Sequence, residues 1–502
     1  MLNLDILQLS ICSALSIVLM LLSIFGLNNF LLLCLSVKSC RRSISVSMPE
    51  NVEEWPTVTV QAATYNEGAV VGRLLESCLR LNYPAEKIEI IIVDDSSDET
   101  ISILREYERK HYPRIKVIHR SERTGYKAGA LNEALKHSRG DYLLILDADS
   151  IPEPDFLKKI IPLFLADEKL GFVQGRPRYI NAETSWLTRA LALVNDWFAT
   201  FLQSTLSRCG LMISFLGHGG VFRRKALEDI GGWMSDTITE DIDAAYRVQL
   251  KGWRAVFFEG AESFEEVPPS YYSAVKRFKR HIKGPIQNLI KHAKPIIKSR
   301  GKSAVEKFEA LIQTAYPLVY PLGLACIILT ILMYLFVPGS ILDRFWCTAP
   351  GLITSLLILL TFPYAAFIVS FIPSTLSAVI AALFAAILLP KDVGRLNKRK
   401  LELIFGAALI WNDNIINCLA PIAEIVMGKR GEWIPTEREA DSEGKKRGEK
   451  ERFREGVLRI MASIFTLTAL AVILCLNFSF SSLGIAMPAV LWLYSAYLII
   501  RR

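Results

Sequence analysis

The stretch DYLLILDADSIPEPDF, Asp141 to Phe156, sets an apolar run directly before two aspartates one position apart. Leu143–Leu146 has the character of a strand covered on both faces. Acids and serine commonly close a strand in a turn, so Asp147 and Asp149 have a plain structural reading. In extended backbone, residues i and i+2 point to the same side, so both carboxylates can face one ligand. Mg2+ or Mn2+ takes oxygen ligands and is usually held by one or two carboxylates plus substrate phosphates. The sequence around the stretch decides between a bend and a site.

Upstream, strand and helix patterns alternate. TVTVQAA and IEIIIVDD read as strands, and IKVIHR as a shorter one. EGAVVGRLLESCLRL repeats Val70, Val71, Leu74, Leu75, Cys78 and Leu79 at helical spacing. DETISILREYERKHY and KAGALNEALKHS are helical, the first with Asp98 as its cap. Continuous apolar strands alternating with helices predict an α/β domain with a mostly parallel sheet covered on both faces. In such sheets ligands bind beyond the carboxyl ends of the strands, where Asp94, Asp95, Asp147 and Asp149 all fall. Two acid pairs at strand ends favour the site over the bend.

Half of the 502 residues are hydrophobic, and they gather at the two ends of the chain. Ile6–Leu35 carries no charged side chain and is long enough to span a bilayer, which needs about 20 residues. Lys38, Arg41 and Arg42 follow it, so the positive-inside bias puts them and the next domain in the cytoplasm. Further candidate spans are Ala310–Val337, Ala349–Phe371, Ser374–Leu389, Leu401–Val426, Arg459–Leu476 and Leu483–Ile500. Ser374–Leu389 is short. Leu401–Val426 carries Trp411, Asn412, Asp413, Asn414, Asn417 and Glu424, so it either lies along the interface or lines a cavity. Five to seven spans in a multi-pass cell-membrane protein are expected. The expected segments are a membrane helix at 1–42, the α/β domain at 53–270 and interface helices at 271–307. Membrane or interface helices at 308–428, a charged linker at 429–455 and a helix pair at 456–502 follow. The nine cysteines form no CxxC pair and read as reduced and structural.

Tyr271–Arg300 is rich in basic residues and has no acid. Val275, Phe278 and Ile282 repeat at helical spacing, interrupted by Gly284-Pro285, before Leu289 and Ile290 resume. Beside membrane spans this suits a bilayer surface. No nucleic-acid module accompanies the charge, so no nucleic-acid partner is expected. HRSERTGYKAGALN offers Arg120, Arg123 and Lys127 before a helix start, where backbone N–H groups also favour anions. Thr239, Glu240 and Asp241 precede another helix. They read as acids favoured by its dipole, or as a general base and its support.

The ordered set ATYNE, VDDSSDET, GYKAGALN, LDADS, VQGRP, GHGGVFRR, GGW, TED, LKGW and KRFKRHIKG resembles the processive membrane branch of glycosyltransferase family 2. It is most similar to the cellulose-synthase-like mannan and glucan synthases, across about Trp55 to Gln287. The resemblance implies a GT-A, Rossmann-like catalytic domain and an inverting transfer of a hexose from a UDP- or GDP-linked donor to a growing β-glycan. It implies that Thr64, Tyr65 and Glu67 surround the donor nucleoside and that Asp94 and Asp95 bind the nucleotide. Lys127 would approach the diphosphate and Arg280 would neutralise it on leaving. Asp147 and Asp149 would flank Mg2+ or Mn2+, with Asp147 also on the donor. Gln174, Gly217, His218 and His281 would meet the acceptor, and Asp241 would be the base, supported by Glu240.

The chain departs from that pattern in two places. The family's QxxRW reads Arg277-Phe278-Lys279-Arg280-His281, and VQGRP carries Pro177 where a tryptophan is common. In relatives the QxxRW tryptophan stacks on the acceptor sugar, so single transfer to a polyprenyl-phosphate or ceramide-like lipid is the alternative to chain extension. A non-catalytic membrane scaffold or transporter is the third reading. The donor sugar, accessory subunits and oligomeric state stay open.

Overall fold

The computed structural model describes residues 2–39, 52–336, 398–429, 445–476 and 486–500. Helix α1 (Leu2–Ser39) precedes the α/β domain. There β1 (Val58–Thr64), β2 (Ile88–Asp94), β3 (Ile115–His119) and β4 (Tyr142–Leu146) run parallel in the order β3-β2-β1-β4. Helices α2 (Gly68–Leu79), α3 (Thr100–His111) and α4 (Tyr126–His137) are the crossovers. Asp98 Oδ1 accepts from Thr100 N at 3.1 Å, but it is not the cap expected of it: the N-cap position of α3 is Glu99, and no side chain caps the helix. Val60, Ile90 and Leu144 are fully buried in neighbouring strands of one core, and each such side chain contributes about 1.5–3 kcal/mol.

The second half of the sheet reverses direction. β5 (Ile151–Pro152) is followed by α5 (Phe156–Ala166) and β6 (Leu170–Tyr179). α6 (Trp186–Asp196) runs through a π-helical stretch, Trp197–Gln203, into α7 (Ser204–Arg208). β7 (Gly220–Arg223) then lies antiparallel between β4 and β6, and β8 (Arg254–Glu265) runs parallel to β6. Four of the seven strand pairings are parallel, giving a mostly parallel mixed sheet. The reversal at β7 matters for the site. Gly219 N donates to Ile145 O at 2.9 Å, which brings the residues before β7 beside the end of β4.

α8 (Arg224–Asp229) and α9 (Glu240–Leu250) complete the domain, and α10 (Tyr271–Lys298) leaves it. The interruption expected at Gly284-Pro285 does not occur: α10 is one helix through Pro285 and Pro295. Gly284 has a packing reason to be there. A Cβ on it would lie 2.3 Å from Thr239 Cγ2. One turn on, Asn288 Nδ2 donates to Thr239 Oγ1 at 2.8 Å. α10 therefore clamps the start of α9, and its apolar face drives the helix past both prolines.

α11 (Ala304–Ala315) leads through a 3-10 turn into α12 (Val319–Phe336). Ile6–Ser36, Ala304–Phe336 and Glu449–Cys475 are long and apolar enough to cross a membrane. They meet in one cluster through Leu15, Leu19, Ile331, Tyr334, Leu470 and Ile473. The expected spans Ala349–Phe371 and Ser374–Leu389 lie outside the described residues. Leu401–Val426 divides at Cys418 into helices Lys398–Asn417 and Leu419–Val426. Its polar residues turn inward: Asn412, Asp413, Asn414 and Asn417 are all buried.

The partner of Asp413 and Asn417 is Arg459, with no exposed surface. It donates to Asp413 through Nε and Nη2, each at 2.7 Å, and to Asn417 at 2.5 Å and Glu455 at 3.0 Å. Removing one partner of a buried ion pair leaves an uncompensated charge and costs about 3–5 kcal/mol, whereas replacing both by apolar groups is often neutral. Arg459→Met is therefore expected to lower the melting temperature of the detergent-solubilised protein sharply. Adding Asp413→Leu is expected to recover much of the loss. A double variant no more stable than the single one counts against a charge-driven effect.

Candidate active site

The parallel register sets the ends of β1, β2 and β4 side by side, with Thr64 opposite Asp94. A cavity of about 420 Å³ opens over them. Thr64, Tyr65, Glu67 and Asp95 line it from β1 and β2, Lys127 from α4, and Asp147 and Asp149 from the turn after β4. Gly217 and His218 enter from the loop before β7, Glu240 and Asp241 from α9, and Arg280 and His281 from α10. Thirteen expected residues, spread over more than two hundred positions, thus share one wall.

Asp94 and Gln174 do not line that wall. Asp94 is fully buried and accepts from Thr64 Oγ1 at 2.7 Å and Ser96 Oγ at 2.6 Å, with His119 Nδ1 at 2.9 Å. It ties the ends of β1, β2 and β3 together. Gln174 Nε2 donates to His218 O at 3.0 Å and Gly219 O at 3.1 Å, while its Oε1 accepts from Leu216 N at 2.8 Å. It shapes the Gly217–Gly219 loop from behind. Asp95 is gripped by Arg120 through Nε at 2.7 Å and Nη2 at 2.6 Å. Arg123, the next cation along, lies 3.6 Å over the Tyr65 ring and lines the cavity.

Lys127 is the centre of the charge arrangement. Its Nζ donates to Asp147 Oδ1 at 2.5 Å and Gly217 O at 2.9 Å, and lies 3.7 Å from Glu240 Oε1. Burial would depress its pKa, but Asp147 and Glu240 outweigh that and raise it. Burial would raise the Asp147 carboxyl, and Lys127 with His218 brings it below its usual value.

Asp241 and Glu240 occupy the first turn of α9. Asp241 Oδ1 accepts from Ile242 N at 2.9 Å. Burial, then the neighbouring Glu240 carboxylate, pushes Asp241 upward against the pull of Lys127. Glu240 is also raised, chiefly by burial. A carboxyl poised towards neutrality is suited to take a proton. Gly217 is confined twice: its φ is +89°, and a Cβ there would lie 3.0 Å from Asp241 Oδ2.

Sequence reasoning missed Glu265. Its Oε2 lies 3.1 Å from His218 Nε2, and its Oε1 accepts from Arg277 Nη2 at 3.4 Å. Burial alone would raise Glu265, but His218 and Arg277 hold it down at about 2. Burial would lower His218, and Glu265 reverses that. The signal available was the acid pair in FEEVPP before the basic helix, which had no spacing to distinguish it. The cavity continues past Tyr316 and Tyr320 to Trp411 and Asn414, so of the two readings open for Leu401–Val426 the segment takes the one that lines a cavity.

Among the described residues no cluster of three or more His, Cys, Asp or Glu forms a metal cage. Asp147 and Asp149 nonetheless face the same cavity, and Asp149 is only 7% exposed. Two carboxylates that leave the remaining positions to phosphate oxygens fit a hard divalent cation.

Residues 59–231 match the family profile described as Glycosyl transferase family 2. Glucomannan 4-beta-mannosyltransferase 7 of Arabidopsis thaliana is 34% identical over 276 residues, covering 53% of this chain and 50% of that protein. Glucomannan 4-beta-mannosyltransferase 2 of the same plant is 33% identical over 234 residues, covering 45% and 43%. The chain spans about half the length of the curated relatives it matches. Among solved structures, mannosyltransferase PcManGT from Pyrobaculum calidifontis, in complex with GDP-Man and Mn2+, is 23% identical. It covers 81% of this chain and 98% of that one, with a TM-score of 0.48. The similarity to glycosyl transferase family 2 thus covers the part of the sheet from β1 to β7 whose strand ends build the cavity, and leaves β8, α9 and α10 outside the matched residues.

Proposed function

We propose that the protein is a membrane-embedded inverting glycosyltransferase that moves a hexose from a nucleoside diphosphate sugar to a growing β-glycan. Mannose in a 4-β linkage is the first candidate, by similarity to the glucomannan 4-beta-mannosyltransferases. The observation that carries the reading is Lys127, which joins the acids at the end of β4 to the acids that begin α9. That junction puts cation, carboxylates and candidate base around one space large enough for a sugar.

In the proposed reaction an acceptor hydroxyl oxygen attacks the anomeric carbon. Its proton passes to an Asp241 carboxylate oxygen. The bond from the anomeric carbon to the phosphate oxygen breaks, and the nucleoside diphosphate leaves with the electron pair. Lys127 and Arg280 stabilise the charge that develops on it, as preorganised cations do in a water-poor site. Asp147 and Asp149 would hold Mg2+ or Mn2+, which supplies further neutralisation of the diphosphate. Tyr65 and Arg123 offer a flat face to the nucleobase. The catalytic domain would lie in the cytoplasm, where Lys38, Arg41 and Arg42 favour it. The continuation of the cavity to Tyr320 and Trp411 would bring the acceptor from the membrane side.

The test is transfer by the purified chain from radiolabelled GDP-mannose, GDP-glucose and UDP-glucose with Mn2+ or Mg2+, followed by sizing of the products. Long chains are expected. One lipid-soluble product would replace chain extension by single transfer to a lipid. No transfer with any donor or metal would overturn the enzyme reading in favour of a scaffold.

A further inference from the structure

The chemistry above leaves one buried line of polar groups unused. Glu265 is the last residue of β8 and pairs in register with Tyr179 of β6. Its carboxylate holds His218 Nε2 on one oxygen and Arg277 Nη2 on the other. Beyond it, His218 Nδ1 lies 3.2 Å from Ser150 Oγ, which accepts from Asp147 N at 3.0 Å. The line runs from the acid turn after β4 across the sheet to α10. His218, Glu265 and Arg277 all line the cavity, yet their side chains are only 4%, 9% and 19% exposed.

Arg277 sits one helical turn before Arg280, so both could be counted as phosphate cations. Glu265 separates their roles. A phosphate oxygen approaching Arg277 meets the Glu265 carboxylate beside it, and like charges repel. An uncharged sugar meets no such opposition. A guanidinium carries five N–H donors in a fixed fork, and a carboxylate accepts at several lone-pair sites. Side by side they present donors and acceptors that match hydroxyl groups. A wall built this way leaves buried polar groups unpaired when a hydroxyl points elsewhere, which is the strongest form of discrimination available to a binding site.

We infer that the Arg277–Glu265 pair, braced by His218, reads the hydroxyls of the transferred hexose and sets which epimer is used. This rests on the proposed function. Arg277 and Glu265 would touch the sugar. His218 would act through Glu265 as a positioning residue.

The experiment uses the full chain in detergent with two donors that differ at one carbon and share a nucleotide: GDP-mannose with GDP-glucose, or UDP-glucose with UDP-galactose. Arg277→Gln is expected to shrink the ratio of kcat/KM between the two epimers by about tenfold or more, the worth of a lost charged hydrogen bond. Inhibition by GDP or UDP is expected to stay within about twofold, because the nucleotide is bound elsewhere. Arg280→Gln should do the opposite, weakening nucleotide inhibition and sparing the ratio. Glu265→Gln should relax the ratio and strengthen nucleotide inhibition, since Arg277 then faces the cavity unneutralised. A merely structural Glu265 would not tighten nucleotide binding. An unchanged ratio in Arg277→Gln, or a parallel fall in nucleotide affinity, overturns the inference while transfer by the wild type keeps the proposed function. A wild type that transfers from none of the four donors removes both.

Discussion

Asp241→Asn is expected to lower kcat by about 10²–10⁴-fold, the usual contribution of a positioned general base. Donor binding should be nearly unchanged. Asparagine keeps the size of the side chain and its Oδ1 can still accept from Ile242 N, so the start of α9 has no reason to move. Competition by GDP or UDP measures binding separately from turnover. The pH profile gives a second handle. Burial and Glu240 raise Asp241, and the base works only when ionised. Wild-type kcat/KM should therefore fall as pH drops through a limb above the ordinary carboxylate range of about 4. The residual activity of the variant should lack that limb. Near wild-type turnover in Asp241→Asn would remove Asp241 from the mechanism.

The first half of the domain was legible because its signals are local. Ile90–Val93 and Leu143–Leu146 are continuous apolar runs, and parallel register follows once helices intervene. The acids at their ends inherit their place from the strands. Helix α10 was misread at Gly284-Pro285 because a glycine beside a proline is a breaker by local rules. Only the contact with Thr239, 45 positions away, shows why glycine is required and why the helix runs on. Asp94 was assigned to the nucleotide because it stands next to Asp95. Neighbouring residues in a strand face opposite sides, so one of the two had to turn away from the cavity wall, and it is Asp94 that meets Thr64, Ser96 and His119. Glu265 had no pattern at all. Its role exists only where the β8 end, the β7 loop and α10 meet.

The same long-range meeting makes Lys127→Met the other large expected effect. Lys127 is the cation common to Asp147, Glu240 and Asp241, and each of the three is pulled towards ionisation by it. Without it, kcat should fall by about 10²–10³-fold, comparable to losing a preorganised group at the developing charge. Lys127→Arg should recover little, because a planar fork does not fit where a compact ammonium is 9% exposed between Asp147 Oδ1 and Gly217 O. The dependence of stability on pH should steepen. In the wild type Asp147 is held below its unfolded value of about 3.9. Its contribution is present above that value and is lost as pH falls through the folded pKa. In Lys127→Met the three buried carboxyls face one another uncompensated, so Asp147 should rise above its unfolded value, and Glu240 and Asp241, already raised in the wild type, should rise further. The folded state then takes up protons, and stability should drop as pH rises through those values. In metal-free buffer, melting temperature measured from pH 5 to 8 should therefore decline for Lys127→Met more steeply than for the wild type. Parallel curves would mean that Lys127 does not hold the three acids in their charged form, and its place at the leaving diphosphate would lose its physical basis.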